Sequence, residues 1–343
     1  MRSVFEYHPI IGFRFIPETK ARISHEGGGY FVRTNQTGFR CDHPFEERRI
    51  AGMRRVLLFG DSFTAGDGVS NGYRYGDYLE KIVPNLEVFN FGLPGTGLDQ
   101  HYLVYQEYAQ NIDHDLLIIA VYIENIWRVG SRYRYFANDA GEYVLYEKPY
   151  FAIIDGTLRL RGVPPSKLPI NPEDLSEDEK RWICQRERFP RLKKLFVRLR
   201  RNRLFNNLVV KSGVKDRALA MLGYQPVTEY GNAKNAAWLI MQALIAKWIT
   251  GHRKPVALIP IPVHHYLYEI SSPHFYQMRL RSATEAAGGI FVDPLPELMQ
   301  HALEERRKFY FPGDGHLTKA GHEALARAIA PKISAILANS KSP

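Results

Sequence analysis

Cysteine is nearly absent: the 343-residue chain holds two, Cys41 and Cys184. They lie far apart and neither sits in a C-x-x-C pair. A disulfide framework and a zinc ribbon are therefore excluded, and two free thiols are expected. Long apolar runs are missing as well. No stretch approaches the ~18 uncharged apolar residues of a membrane span. The N-terminus, MRSVFEYHPIIGFRF, is broken by Glu6, His8 and Pro9 and does not read as a signal peptide. The expected compartment is the cytoplasm, with the periplasm or the exterior as the alternative if a leader has been cut away. Gly27-Gly28-Gly29 and Gly95-Thr96-Gly97 are not phosphate loops, because no G-x-x-x-x-G-K-[ST] occurs. Asp113-His114-Asp115 and His264-His265 lack helical i,i+4 His spacing and have no Cys/His cluster around them. They read as loop residues flanking strands, and neither a metal nor a cofactor is expected.

What is present is an ordinary globular composition, 45% apolar and 24% charged, with a formal net charge of +10. That charge is concentrated. From Arg181 to Arg203 ten Lys/Arg stand against one acid, Glu187, and just before them residues 171–180 carry five acids and one Lys. The rest of the chain is close to neutral. Leu192, Leu195, Phe196, Leu199, Leu204 and Phe205 recur at near-helical spacing within or beside the block, which predicts an amphipathic helix with a cationic face. A solvated helix paired with the preceding acids is one reading; contact with an anionic surface, membrane or glycan, is the other. No nucleic-acid-binding motif accompanies the charge, so nucleic acid is not expected as a partner. Oligomeric state is left open.

The order of elements predicts the fold class. Short apolar runs at 56–59, 87–91, 116–122, 256–259 and 289–292 read as buried strands. Amphipathic patterns at 98–110, 233–250, 273–287 and 319–337 read as helices, the last containing Pro331. Alternating strands and helices make a three-layer α/β/α sandwich around a parallel sheet of about five strands. Residues 131–229 break the rhythm and read as an insertion or cap that carries the basic helix. The core is then 52–130 plus 230–343, preceded by a prelude over 1–51 that is irregular or short-stranded. Within the insertion, Ile153-Ile154-Asp155-Gly156-Thr157 reads as a hairpin turn.

Sites in open α/β sheets form outside the carboxyl ends of the strands. The first three strand ends carry Gly60-Asp61-Ser62-Phe63, Asn90-Phe91-Gly92-Leu93-Pro94-Gly95 and Glu124-Asn125, and Asp314-Gly315-His316 precedes the last helix. Taken in order, these four blocks resemble the SGNH (GDSL-type) hydrolases. The likeness covers about residues 52–130 and 230–340. The prelude, with Tyr7-His8-Pro9 and Asn35-Gln36-Thr37-Gly38-Phe39-Arg40, resembles members associated with bacterial polysaccharide modification.

The resemblance implies an SGNH/flavodoxin-like fold and a serine ester hydrolase that removes O-acyl, chiefly O-acetyl, groups from a carbohydrate through an acyl-enzyme. Ser62 is then the nucleophile, His316 the general base and Asp314 the acid that orients it. The oxyanion donors are the Ser62 and Gly92 N–H groups and the Asn125 side chain. Two departures stand out: the last block is Asp-x-His where the family usually has Asp-x-x-His, and the third block keeps only the Asn of Gly-x-Asn-Asp. Glu124 adds a carboxylate beside the site as a candidate substrate contact. Asp61 reads as a structural turn residue and His322 as a surface or packing residue. The alternatives are acyl transfer to a polysaccharide hydroxyl, or a non-catalytic protein that binds glycan or a membrane surface. The 43 aromatic residues offer stacking surface for sugars.

Overall fold

The computed structural model describes residues 4–137, 142–184 and 214–339. Its centre is a five-stranded, all-parallel sheet of β5 (Arg54–Phe59), β6 (Leu86–Asn90), β7 (Leu116–Tyr122), β12 (Val256–Ile261) and β13 (Ile290–Phe291), in the spatial order β13-β12-β7-β5-β6. Every residue of β7, Leu-Leu-Ile-Ile-Ala-Val-Tyr, is buried, as a central strand covered on both faces demands. Helices Tyr75–Ile82 and Lys319–Asn339 pack together on one face; Leu98–Tyr108, Ala236–Thr250 and His274–Ala286 form the layer on the other. The expected α/β/α sandwich with five parallel strands is what the chain forms. Pro331 lies inside the last helix. Trp248 joins that second layer to the sheet, its ring 5.2 Å from Phe59 and 5.5 Å from Tyr102.

The strand order makes chain neighbours β5 and β6 run outward one way and β7, β12 and β13 the other. The reversal falls between β5 and β7, so their carboxyl ends diverge there and leave a crevice. Ser62 follows β5 and Asn125 follows β7. The topology therefore places two of the four blocks at the one point where a parallel sheet of this kind opens.

The prelude is built from two hairpins, β1 (Phe5–His8) with β2 (Gly12–Phe15), and β3 (Lys20–Ile23) with β4 (Tyr30–Arg33). Polar contacts tie it to the core. His8 Nε2 lies 2.9 Å from the Tyr108 hydroxyl, and Arg14 donates to the same oxygen. Arg40 is fully buried and donates to the Gly66 and Val69 carbonyls, 2.8 Å each. Those carbonyls belong to the loop that leaves the Ser62 turn, so the prelude holds that loop in place.

In the 131–229 stretch two further hairpins are formed by β8 (Tyr133–Ala137) with β9 (Tyr143–Glu147), and β10 (Tyr150–Ile154) with β11 (Thr157–Arg161). The second turns at Asp155-Gly156, both at positive φ, the conformation a two-residue hairpin loop needs. Tyr133, Leu145, Leu175 and Ile183 form a small apolar cluster apart from the main core. Most of the basic stretch from Arg181 to Arg203, with its expected cationic helix, lies outside the described residues. Cys41 and Cys184 are both buried and neither is in a disulfide. Burial pushes the Cys41 thiol up to about 12.

Candidate active site

Ser62 opens a single helical turn, Ser62–Ala65, directly after β5. The turn is fixed at both ends. Asp61 caps it by accepting the Phe63 N–H at 3.1 Å, and Gly66 closes it in a left-handed conformation, φ 84°. Ser62 Oγ lies 2.8 Å from His316 Nε2, and His316 Nδ1 lies 2.5 Å from Asp314 Oδ2. The three residues expected to act together are thus in line, although 254 positions separate Ser62 from His316. In the shortened Asp-x-His block the intervening Gly315 takes φ 83°, and its N–H returns to the Phe311 carbonyl. The tight turn swings both side chains to the same side.

Electrostatics follow from that geometry. Burial alone would raise the Asp314 carboxyl, but the hydrogen bonds and charge of His316, and then His25, hold it well below the usual carboxylate range. Burial opposes a charged imidazole at His316; the Asp314 hydrogen bond and charge, with Asp67 and Asp61 behind it, outweigh burial and lift its pKa above the ordinary 6.5. Phe63 lies against the imidazole at 4.8 Å between ring centroids and stacks on Tyr122 at 4.1 Å.

After β7, Asn125 begins the short helix Asn125–Val129 and is completely buried. Its Oδ1 accepts from Arg128 Nη1 at 2.9 Å, while its Nδ2 has no partner. The same Arg128 nitrogen donates to Asp61 Oδ2 at 2.6 Å and to the Thr96 carbonyl at 2.9 Å. One guanidinium therefore clamps the loops after β5, β6 and β7 and fixes which way the Asn125 amide faces. A buried amide donor without a partner is costly.

Gly92 departs from expectation. Its N–H donates to Asn90 Oδ1 at 2.9 Å, so the hydrogen that an oxyanion would need is already engaged. The residue is glycine for a packing reason: a Cβ there would stand 2.3 Å from the Ala65 nitrogen, inside the Ser62 turn. Asp61 is more than a turn residue, since it both caps the Ser62 turn and pairs with Arg128. Glu124 is half-buried just before Asn125 and interacts with Tyr224 and Tyr266, helping burial to raise both phenols. His322 is a packing residue. It is fully buried and its Nδ1 accepts the Tyr75 N–H at 3.2 Å.

The histidines flagged in the sequence form no part of the Ser62–His316–Asp314 line. His114 meets His252 with their Nε2 atoms 2.7 Å apart, and His264-His265 begin a four-residue helix after β12. Among the described residues no group of three or more His, Cys, Asp or Glu is arranged to hold a metal ion.

Sequence reasoning missed His25, Glu26 and Arg128. His25 Nε2 lies 3.0 Å from Asp314 Oδ2, and the Glu26 carboxylate accepts the Gly313 and Asp314 N–H groups at 3.0 and 2.7 Å. Arg128 did leave a signal, as a cation one helical turn after Asn125. His25 left only the glycine run beside it: a Cβ on Gly27 would stand 2.7 Å from Phe311, so that run permits the close approach to the acid loop.

No protein-family model and no curated protein matches the chain. Solved structures with similar architecture include an acetylxylan esterase from Geobacillus stearothermophilus, at TM-score 0.41 and 15% identity over 82% of this chain and 94% of that one. A lipase/acylhydrolase from Enterococcus faecalis aligns at TM-score 0.38 and 13% identity over 85% of this chain and 100% of its own. A member of the lipolytic G-D-S-L family from Veillonella parvula aligns at 0.38 and 10% over 80% and 96%. Likeness at these levels decides nothing about activity, which has to come from the site itself.

Proposed function

We propose that the chain is a serine ester hydrolase that removes O-acyl groups. The single observation that carries this is the Ser62–His316–Asp314 line, with Asn125, its Nδ2 unpartnered, tied through Arg128 to Asp61 beside the nucleophile. Ser62 Oγ attacks the acyl carbon while its proton passes to His316 Nε2, and Asp314 stabilises the imidazolium. The carbonyl oxygen becomes an oxyanion that Asn125 Nδ2 and the Ser62 N–H receive. Collapse expels the alcohol, which takes the proton from His316. Water then attacks the acyl-Ser62 ester with His316 as base, releasing the carboxylic acid and restoring Ser62. The chemistry needs no cofactor.

The His316 side chain is 20% exposed and that of Asp314 35%. Water reaches the base, which favours hydrolysis over transfer to a sugar hydroxyl. An O-acetylated carbohydrate is the substrate that the motif resemblance suggests. The insertion over 131–229, beside the core of 52–130 and 230–343, is the proposed cap, and its basic stretch the proposed contact for an anionic surface. The test is hydrolysis of a short-chain nitrophenyl ester. Ser62→Ala should lose at least 10³-fold in kcat, in the range seen when a nucleophile of this kind is removed. Equal rates for wild type and Ser62→Ala would remove the reading.

A further inference from the structure

The acid of the catalytic line has a second imidazole on it, and that imidazole comes from the prelude. His25 lies in the β3–β4 connection, and its Nε2 is 3.0 Å from the same Asp314 oxygen, Oδ2, that His316 uses. The other ring nitrogen settles the tautomer. Nδ1 accepts the Gly27 backbone N–H at 3.2 Å, so the ring's hydrogen sits on Nε2 and points at Asp314. The ring is held on its edge by Phe311, 4.5 Å between centroids at 71°, and by Tyr30 at 5.8 Å and 78°. The His25 side chain is only 12% exposed. Beside it, Glu26 fixes the backbone of Gly313 and Asp314 through their N–H groups. Two consecutive prelude residues thus grip the acid loop, one by its carboxylate and one by its backbone.

We propose that His25 is a positioning residue of the ester-hydrolase site, a fourth member of the line Ser62–His316–Asp314–His25, donating from Nε2 to Asp314. This rests on the reading of Ser62 and His316 given above. The shortened Asp-x-His turn gives the proposal its physical sense. Asp314 is one-third exposed and sits on a turn only two residues from its histidine, so it lacks the burial that normally fixes a triad acid. A second N–H donor on the same oxygen supplies the missing restraint. It also draws charge away from the side of the carboxylate that faces His316, and so tempers the basicity of that imidazole.

The groups facing this line are Asp67 and Asp61 toward His316, His322 behind it on the last helix, Glu26 at the acid loop's backbone, and Tyr30 beside both His25 and Asp314. Asp67, Asp61, His322, Glu26 and Tyr30 donate no hydrogen to Asp314 Oδ2, which His316 and His25 share, so loss of His25 should leave more of the carboxylate's charge on His316. The acid limb of kcat/KM should then move to higher pH.

The experiment compares His25→Phe, which keeps a ring against Phe311 without a donor, with His25→Gln, whose amide replaces the Nε2–H. Nitrophenyl ester hydrolysis is followed across pH, with thermal melting as the check on folding. The expected result for His25→Phe is a fall in kcat of about 10-fold, the loss of one hydrogen bond to a charged partner, together with an upward shift of the acid limb. His25→Gln should restore most of both. If His25→Phe fails to fold, His25→Gln is compared with His25→Met at the same pH values. An acid limb that stays in place in the donor-free variant overturns the proposal, whatever happens to kcat. A wild-type rate that survives Ser62→Ala and His316→Ala instead overturns the ester-hydrolase reading, so the two failures are distinguishable.

Discussion

One side of the site, the line from Ser62 through His316, Asp314 and His25, runs across loops and is partly open to solvent. On the other, Asn125, Asp61 and Thr96 are fully buried and Arg128 almost so. In the proposed reaction the first side moves a proton, and each member has its partner in place before substrate arrives. Water beside it does no harm, since water is the second substrate of the proposed reaction. The second side, in that reaction, has to receive a charge that exists only in the transition state. It is built dry, and it leaves one donor, Asn125 Nδ2, without a partner. An unsatisfied buried donor costs about 1–3 kcal/mol in the resting protein. That cost is offset when an oxyanion fills the vacancy, and the donor needs no reorganisation at that moment. One side is thus satisfied at rest and the other is satisfied only during reaction.

The largest expected effect that separates the two sides is Asn125→Ala. It should lower kcat by about 10²–10³-fold with little change in KM, because the lost contact belongs to the transition state. A loss below about fivefold would mean that the buried donor is not used, and the contrast between the sides would fail. A smaller effect is expected from Arg128→Met. Without the guanidinium the Asn125 amide is no longer fixed, and kcat should fall about 10-fold, the value of one hydrogen bond to a charged group. Stability should drop as well, by about 3–5 kcal/mol, since Asp61 would be left as an unpaired buried charge; thermal melting measures this. If Arg128 acts through Asn125, the double variant will lose no more rate than Asn125→Ala alone. Additive losses would show that Arg128 acts by another route.

The sequence carries the parts of both sides more legibly than the links between them. Strand ends announced Ser62 and Asn125, because a buried apolar run followed by Gly-Asp-Ser or Glu-Asn is a local pattern. Asp314-Gly315-His316 was equally local. The five parallel strands were readable for the same reason, since β7 is apolar throughout. What links the parts was not local. Arg128 touches three loops through one nitrogen, and His25 reaches across 289 positions to Asp314. Neither contact has a period or a fixed spacing to betray it. Gly92 failed in the opposite way. Its position was legible, but its N–H turns back to Asn90, and the direction of one N–H bond depends on backbone geometry that a motif does not encode. His114 and His252, 138 positions apart, form their close pair with no sequence signal at all.

The smallest expected effect sharpens the contrast through pH, by setting His316 against His322. The two lie six positions apart and have opposite surroundings. His316 faces carboxylates, and its pKa is raised above 6.5 despite burial. His322 is buried away from water, and burial lowers it to about 3. The sign follows from which form works. His316 must be neutral to take the Ser62 proton, so activity is absent below its folded pKa and rises as pH passes through it. Since that pKa is raised, the acid limb of kcat/KM should have its midpoint above 6.5. His322 is neutral throughout that range and makes no contribution to the limb. His322→Leu should therefore lower the melting temperature, by removing the acceptor of the Tyr75 N–H, and leave the limb's midpoint where it was. A limb that moved with His322 would mean that the last helix takes part in the proton chemistry. The open side of the site would then extend into the core, and the division between a proton-moving side and a charge-receiving side would no longer hold.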